Sequence, residues 1–336
     1  MNTSRGALPL MLAVMMIVLS CRTKDPCSDC EEPEDLLRAP IGLGFSSPAG
    51  DICGFSLATH EVTRTVPIAT GYVGSAKINY SGDKLFLAEQ SDYGVRILRL
   101  SDLSEMDWVV LPALPVEIEL DYSASKIYIL TRNGGFWTYF ASAHEFDTLE
   151  VPIESRDFAL KPPDQHEAWL VSPRDQSVNV IDLQLNRILH TIYLNHRPAS
   201  VVFSLDGETC YISAYGSEGV VYVVHTMTRD ITDTLAATSR IRDLAISEDG
   251  GFLAGADSST GTIRVWNLDM GGHRDVSGPR FAEHLVFMRQ SHDFFALDPS
   301  TGEMVRVSVT DTSATVVAEV QLPVTTTAFA LWEQQP

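Results

Sequence analysis

Short runs in which hydrophobic and polar residues alternate follow one another along most of the chain, from about residue 40 to Trp332. Clusters of Gly, Asp, Ser and Pro interrupt these runs, and no stretch keeps the period of about 3.6 residues that marks a long amphipathic helix. Alternation with a period of two is typical of strands that bury one face. The pattern therefore predicts an all-β domain built from many short strands.

One of these strands recurs seven times at a nearly constant spacing. Its anchor positions, which lie 42, 42, 41, 42, 42 and 42 residues apart, are Leu43, Leu85, Ile127, Ala168, Cys210, Phe252 and Phe294. The strand that follows it recurs with the anchors Ile52, Val95, Phe136, Val178, Val220, Ile263 and Val305. A period near 42 residues with four strands per unit, named a to d in chain order, is typical of propeller blades. The sequence thus predicts a seven-bladed β-propeller over residues 40–333, with four antiparallel strands in each blade.

The region begins and ends within a repeat unit and not at the boundary between two units. The first unit starts at strand b, around Leu43, and lacks a strand a, whereas residues 325–332 have the pattern of a strand a with no strand b after it. We therefore expect the C-terminal strand to pair beside Leu43 and to close the ring in blade 1. Closure of this kind leaves no open sheet edge between the first and the last blade.

Several segments resemble a known repeat. Residues 177–183 (SVNVIDL), 203–207 (FSLDG) and 247–250 (SEDG) are similar to the YVTN-type repeat of bacterial extracytoplasmic seven-bladed propellers. Residues 263–269 (IRVWNLD) also resemble a WD-repeat strand, although the Gly-His element of that family is missing. The YVTN resemblance covers residues 40–333 and implies the propeller fold. It implies no single function, because propellers of this type serve many purposes.

The start of the chain has the features of an export signal. Arg5 precedes an apolar run over residues 7–19, which is shorter than the roughly 18–20 residues that span a bilayer. The junction VLSC at 18–21 resembles the bacterial lipobox, after which the signal is removed and the thiol of the Cys is lipidated. The resemblance implies a cleaved signal peptide at 1–20 and lipid attachment at Cys21. An ordinary secretory signal or a membrane anchor is the alternative.

The segment that follows is polar and acidic. We interpret residues 21–39 as the lipidated Cys plus a flexible tether, and residues 334–336 as a tail. Cys27 and Cys30 form a C-x-x-C that has neither a following His nor a second C-x-x-C, so the pattern is neither a c-type haem site nor a zinc site. A local disulfide and two free thiols both stay open for this pair. Arg22 stands where lipoproteins retained at the inner membrane usually have Asp, so we expect an envelope location, at the outer membrane if the host has one.

Composition and motifs restrict the function classes. The 24 Lys and Arg against 44 Asp and Glu give a formal charge of −20, which opposes binding to nucleic acid. The sequence contains no nucleophile elbow, Walker loop, His-Glu-x-x-His or Gly-x-Gly-x-x-Gly motif, and its nine His show no metal-ligand spacing. We therefore expect no catalytic residue, cofactor or metal. The expected function is a monomeric binding module for an envelope protein, a glycan or a small anionic ligand. A lactonase-like hydrolase and an accessory subunit of a periplasmic redox enzyme are the alternatives.

Arginine is concentrated in the connections of one face. In a propeller the d–a and b–c connections share one face, and the a–b and c–d connections share the other. In blades 3 to 7 the first set carries Arg and no Lys, together with His196: Arg132, Arg156, Arg174, Arg197, Arg240, Arg242 and Arg280. A guanidinium forms a planar fork for carboxylate or phosphate, so we expect these residues to ring one channel mouth and bind an anionic group. The alternative is simple pairing with the adjacent Asp157, Asp175 and Asp243, which contributes only about 0–1 kcal/mol per surface pair.

The lipobox-like junction gives the first testable prediction. Mass spectrometry of the native protein should find a lipidated Cys21 as the first residue, because cleavage in this class precedes the modified Cys. A Cys21→Ala variant should lack the lipid mass and serves as the control. Recovery of an unmodified native chain that retains Met1 would contradict the prediction.

Overall fold

The computed structural model describes residues 41–46, 50–68, 71–216, 218–237, 240–289, 291–323 and 325–333. The predicted signal peptide and tether, Cys21, Cys27 and Cys30 and the tail lie outside the described residues. Within them, twenty-eight strands form seven antiparallel sheets of four strands each. The prediction of a seven-bladed β-propeller is confirmed.

The strands of each blade are consecutive in the chain, except in blade 1. Blade 1 contains β1 (Ile41–Ser46), β2 (Asp51–Ser56), β3 (Val62–Pro67) and the last strand of the chain, β28 (Thr326–Trp332). Blade 2 contains β4 (Val73–Ile78), β5 (Lys84–Glu89), β6 (Gly94–Arg99) and β7 (Glu105–Val110). Blade 3 contains β8 (Pro115–Leu120), β9 (Lys126–Thr131), β10 (Gly135–Phe140) and β11 (Glu145–Glu150). Blade 4 contains β12 (Asp157–Leu160), β13 (Glu167–Ser172), β14 (Ser177–Asp182) and β15 (Arg187–Tyr193).

The other three blades follow the same order. Blade 5 contains β16 (Arg197–Phe203), β17 (Thr209–Tyr215), β18 (Val220–His225) and β19 (Asp230–Ala236). Blade 6 contains β20 (Ile241–Ile246), β21 (Phe252–Asp257), β22 (Thr262–Asn267) and β23 (His273–Ser277). Blade 7 contains β24 (His284–Phe287), β25 (Phe294–Leu297), β26 (Glu303–Val309) and β27 (Ala314–Gln321). All seven anchors of each predicted series lie in strands b and c, respectively.

The C-terminal strand closes the ring as the phase of the repeat predicts. β28 pairs antiparallel with β1, with Leu43 opposite Ala330 and Ile41 opposite Trp332. Blade 1 thereby gains its strand a, and its order β28-β1-β2-β3 matches the a-b-c-d order of the other blades. The first and the last described strands are thus held in one sheet.

The core lies between the blades. Each of the seven buried apolar clusters joins neighbouring blades, and strand b supplies residues to clusters on both of its sides, as Leu85 and Phe86 show. Trp169 and Phe294 are fully buried in these clusters. Cys53 and Cys210 are buried free thiols within β2 and β17. Because every cluster needs two blades, no blade buries its own apolar surface alone.

The Asp-Gly pairs of the repeat are a–b turns. Asp206 accepts hydrogen bonds from the hydroxyl of Ser204 and the amide of Glu208, and Gly207 has φ +70°. A Cβ at Gly207 would collide with the carbonyl oxygen of Pro162 in the turn of blade 4, so the turn requires glycine for its space as well as its conformation. The Asp-Gly motif therefore forms the turn between strands a and b.

Ring closure generates the second prediction. Truncation after Leu322 removes β28, whose Ala328 and Phe329 belong to the clusters on either side of blade 1. The loss should lower the melting temperature far more than a typical point substitution, which costs about 1 kcal/mol. Val62→Thr on the exposed outer strand β3 is the control and should leave the melt nearly unchanged. An unaltered melt of the truncated chain would show that closure does not stabilise the domain.

Candidate functional site

A central channel runs between the innermost strands of all seven blades. It encloses about 330 Å³ and is lined by residues of β4, β8, β12, β16, β20, β24 and β28. Its polar side chains are Ser75, Lys77, Glu117, Glu119, Asp157, Ser200, Asp243 and His284. Acidic groups outnumber basic ones among these residues, and burial raises the pKa of three of the acids, Glu119, Asp157 and Asp243.

Two of the channel carboxylates join neighbouring blades. Asp157 in blade 4 accepts a hydrogen bond from the backbone N–H of Val201 in blade 5, at 3.0 Å. Asp243 in blade 6 accepts one from the backbone N–H of Leu285 in blade 7, at 2.7 Å, and another from the hydroxyl of Ser200 in blade 5, at 3.2 Å. Each carboxylate therefore satisfies buried donors of an adjacent blade, which would otherwise cost free energy.

The arginines beside the two aspartates do not pair with them. Among the described residues, neither Arg156 nor Arg242 forms an ion pair with its neighbouring Asp. Arg242 instead donates two hydrogen bonds, from Nε at 3.2 Å and Nη2 at 2.8 Å, to Oε1 of Glu283 in blade 7. The sequence-based alternative, in which adjacent Asp neutralise the arginines, thus does not describe this pair. We call Arg156 and Arg242 the arginine pair.

A bulge explains the direction of Arg242. The sequence places this residue in a connection, but the structure places it inside β20, where the pairing with β21 shifts register between Ile241 and Asp243. A bulge breaks the alternation that would send adjacent side chains to opposite faces of a strand. Arg242 therefore reaches Glu283 while Asp243 reaches Leu285, both in blade 7.

Charged and titratable residues from five blades influence one another's pKa values at this mouth. Burial lowers the pKa of Arg156, and the nearby charge of Arg242 lowers it further, whereas the charges of Glu283, Asp157 and Asp243 oppose the change. Burial and the charge of Glu283 raise the pKa of Tyr72 in blade 2, against the effect of Arg132 in blade 3. Within the described part of the chain, the guanidinium of Arg156 has no hydrogen-bond partner. The arginine pair is thus a half-buried positive site at one mouth of the channel.

The remaining predicted residues lie on the same face but are more exposed, namely Arg132, Arg174, Arg197, Arg240 and Arg280. Arg240 lies over the ring of Tyr215 at 5.5 Å, and Arg280 over that of Phe281 at 5.1 Å. His196 is half-buried, and its Nδ1 lies 2.7 Å from the hydroxyl of Tyr222. We call the face formed by the b–c and d–a connections the arginine face. Anion binding by these residues stays a prediction.

The channel residues were missed in the sequence, although a signal for them exists. Ser75, Glu117, Asp157, Ser200 and Asp243 are spaced 42, 40, 43 and 43 residues apart, close to the blade period. Ser75 donates to Glu117 at 2.6 Å, so this bond also joins adjacent blades. A polar residue that recurs once per blade in strand a would have predicted these contacts.

Lys77 compensates part of the negative charge of the channel. Its Nζ lies 2.7 Å from Oε1 of Glu119 and 3.4 Å from Oε1 of Glu117. Burial alone would lower the pKa of Lys77, but the two glutamates outweigh the effect of burial and raise the pKa.

Among the described residues, no three or more His, Cys, Asp and Glu side chains are arranged to hold a metal ion. The described residues also include no helix with the length and hydrophobicity to cross a membrane.

Comparison with known proteins supports the fold. No protein-family model and no curated protein matches the sequence. The structure is similar to a hydrazine synthase from Kuenenia stuttgartiensis, with a TM-score of 0.70 and 12% identity over 76% of this chain and 88% of that one. A functionally unknown protein from Desulfotomaculum acetoxidans gives a TM-score of 0.73 and 13% identity, covering 87% and 99%. The propeller domain of Myceliophteria thermophila Cps50 (Swd1) gives 0.66 and 14%, covering 81% and 96%. At this identity the likenesses establish the β-propeller fold alone.

The channel carboxylates generate a prediction on pH. Burial, together with Glu117 and Asp243, raises the pKa of Asp157 from 3.8 to about 8. Between these values the folded state binds a proton at Asp157 that the unfolded state has released, so this group makes stability fall as pH rises from about 4 to about 8. Asp157→Asn removes that dependence. The melting temperature of the variant, relative to the natural protein, should therefore rise across this range.

Asp206→Asn is the matched control for the pH series. The hydroxyl of Ser204 and the amide of Glu208 lower the pKa of the exposed Asp206. Its stabilisation is fully present above the unfolded pKa of 3.8 and is lost only as pH falls below that value, so the relative melting temperature of this variant should stay constant from about pH 4 to about pH 8. Parallel curves for the two variants would contradict the assignment.

Proposed function

We propose that the protein is a binding module of the cell envelope whose arginine face recognises an anionic group on a glycan, a protein or a small molecule. The single observation that carries the proposal is the arginine pair. Two guanidiniums lie half-buried at one mouth. Arg242 is held by Glu283, and the aspartates beside the two arginines accept from the backbone of neighbouring blades. An anionic ligand would supply the partner that Arg156 lacks within the described residues.

The energetics of the arginine pair favour this role. Bringing like charges together in a partly desolvated mouth is unfavourable, and a bound anion would offset that cost. Charge-assisted hydrogen bonds from guanidinium to carboxylate or phosphate are stronger than neutral ones and are often bidentate. Since the whole chain carries a formal charge of −20, a local positive site would also distinguish this mouth from the rest of the protein for an anionic ligand.

The location is proposed from the sequence. The YVTN-type resemblance and the lipobox-like junction at 18–21 support an exported protein that is held to a membrane by lipid on Cys21. The described propeller chain starts at Ile41, at the a–b edge of blade 1, because Ile41 pairs with Trp332 at the end of strand a. Ile41 therefore lies on the face opposite to the arginine face.

Titration calorimetry with defined anions tests the function. Galacturonate oligomers, a Glu-rich peptide and inorganic phosphate serve as probes, with neutral dextran as the reference. At least one anionic probe should bind, and Arg156→Ala should weaken it by roughly tenfold or more, since a hydrogen bond to a charged group contributes about 1.5–3 kcal/mol. Arg64→Ala on the exposed outer strand β3 is the matched control and should bind like the natural protein.

The same samples separate binding from catalysis. Unchanged melting temperatures of the Arg156→Ala and Arg64→Ala variants are required, because only then does a loss of binding report on the mouth. Equal binding by all three proteins would overturn the proposal. Turnover of lactone substrates by the natural protein that disappears in the Asp157→Asn variant would favour the hydrolase alternative instead.

A further inference from the structure

The face opposite to the arginine face carries a group of exposed apolar side chains in blades 3, 4 and 5. Tyr122 is 55% exposed, Leu185 and Leu205 are each 61% exposed, and Met227 is 82% exposed. Tyr122 and Leu205 occupy a–b turns, whereas Leu185 and Met227 occupy c–d turns. We call these four residues the apolar sector. Isolated exposed apolar residues are common, so the question is whether these four form one surface.

The turns that carry Tyr122, Leu205 and Met227 are linked to one another through the a–b turn of blade 4. The amide of Tyr122 in blade 3 donates to Oε1 of Gln165 in blade 4, at 3.0 Å. In blade 5 the hydroxyl of Thr226, next to Met227, donates to the carbonyl of Gly207 at 2.6 Å. The sector is therefore supported by contacts between turns.

Blades 4 and 5 are joined in the same way. Gly207 packs against the carbonyl of Pro162 so closely that no Cβ fits between them. Arg229 in the c–d turn of blade 5 lies 3.4 Å from Glu167 in blade 4. Turns that hold each other leave their backbone little conformational entropy to lose on binding, which favours recognition.

The charges around the apolar sector have one predominant sign. In the four turns that carry it, the a–b turn of blade 4 and the strand residues next to these turns, the exposed carboxylates are Asp164, Asp206, Glu208 and Asp230, and the exposed cation is Arg187. Asp121, Asp182, Lys126 and Lys161 are half-buried there. Arg229, the other arginine of these turns, is paired with Glu167. The rim is thus acidic, in contrast to the arginine face. Charge complementarity at an interface steers association and suppresses partners of the wrong sign.

We infer that the apolar sector docks a protein segment whose apolar side chains are flanked by Lys or Arg. Tyr and Met are enriched at protein interfaces, and the unbranched Met227 adapts to different apolar surfaces. An anionic membrane surface would be repelled by the carboxylates. A second copy docked by the same face would set the two acidic rims against each other. The inference does not depend on anion binding, because it concerns the opposite face.

Designed peptides test this inference. A peptide array keeps a Leu-rich core constant and flanks it with Lys, Gln or Glu, and the full propeller chain is the soluble probe. Lys-flanked peptides should bind best. The double variant Leu205→Ser, Met227→Ser should reduce that binding by about tenfold or more, since truncation of central apolar contacts dominates such interfaces. Tyr193→Ser is the matched control, because Tyr193 is 77% exposed at the end of β15 on the arginine face.

The outcomes are distinct. All variants alter exposed side chains, so their melting temperatures should match that of the natural protein, and Tyr193→Ser should bind the Lys-flanked peptides normally. Equal binding of Lys- and Glu-flanked peptides, or normal binding by the double variant, would overturn the inference. Self-association in sedimentation, or co-sedimentation with vesicles rich in anionic lipid, that the double variant abolishes would overturn it as well. None of these results bears on binding at Arg156.

Discussion

Pairing of the last strand with the first is the interaction on which the propeller depends. Each apolar cluster lies between two blades, so a blade is stable only while both of its neighbours are in place. β28 supplies strand a of blade 1 and contributes Ala330 to the cluster shared with blade 2 and Phe329 to the cluster shared with blade 7. A ring built in this way has no terminal blade, and it avoids the exposed edges that an open repeat array must cap.

Ring closure also brings the innermost strands close enough for their polar side chains to form hydrogen bonds with the next blade. Seven strands a that converge on one axis bring polar side chains within reach of the next blade, as Thr327 shows by donating to the carbonyl of Val73 at 2.6 Å. Asp157 and Asp243 use the same position to accept from backbone amides. Structural bonding and candidate function are therefore linked, because the aspartates that join the blades accept from backbone amides and form no direct ion pair with the arginines next to them.

The two faces of the ring differ in chemistry. One carries guanidiniums beside aromatic rings, with Arg240 over Tyr215 and Arg280 over Phe281, and suits an anionic ligand. The other carries Leu, Met and Tyr side chains within an acidic rim and suits a basic partner. A rigid ring with unlike faces is an arrangement by which one domain can hold two different partners at the same time. This arrangement favours the proposed role as a binding module, with the fold supplying the support and the loops supplying recognition.

The sequence by itself determined the fold, because a propeller repeats its strand pattern every 42 residues and the phase of that pattern at the two ends requires closure. It also placed Arg156 and Arg242 on one face, since the order of strands within a blade decides which connections share a face. The partners of these arginines depended on the tertiary structure. A neighbouring residue in sequence was the natural counterion, yet the bulge at Arg242 and the amides of the next blade redirected each side chain. The apolar sector likewise arises from turns far apart in the sequence, and only the packing of blade against blade links the turns that carry Tyr122, Leu205 and Met227.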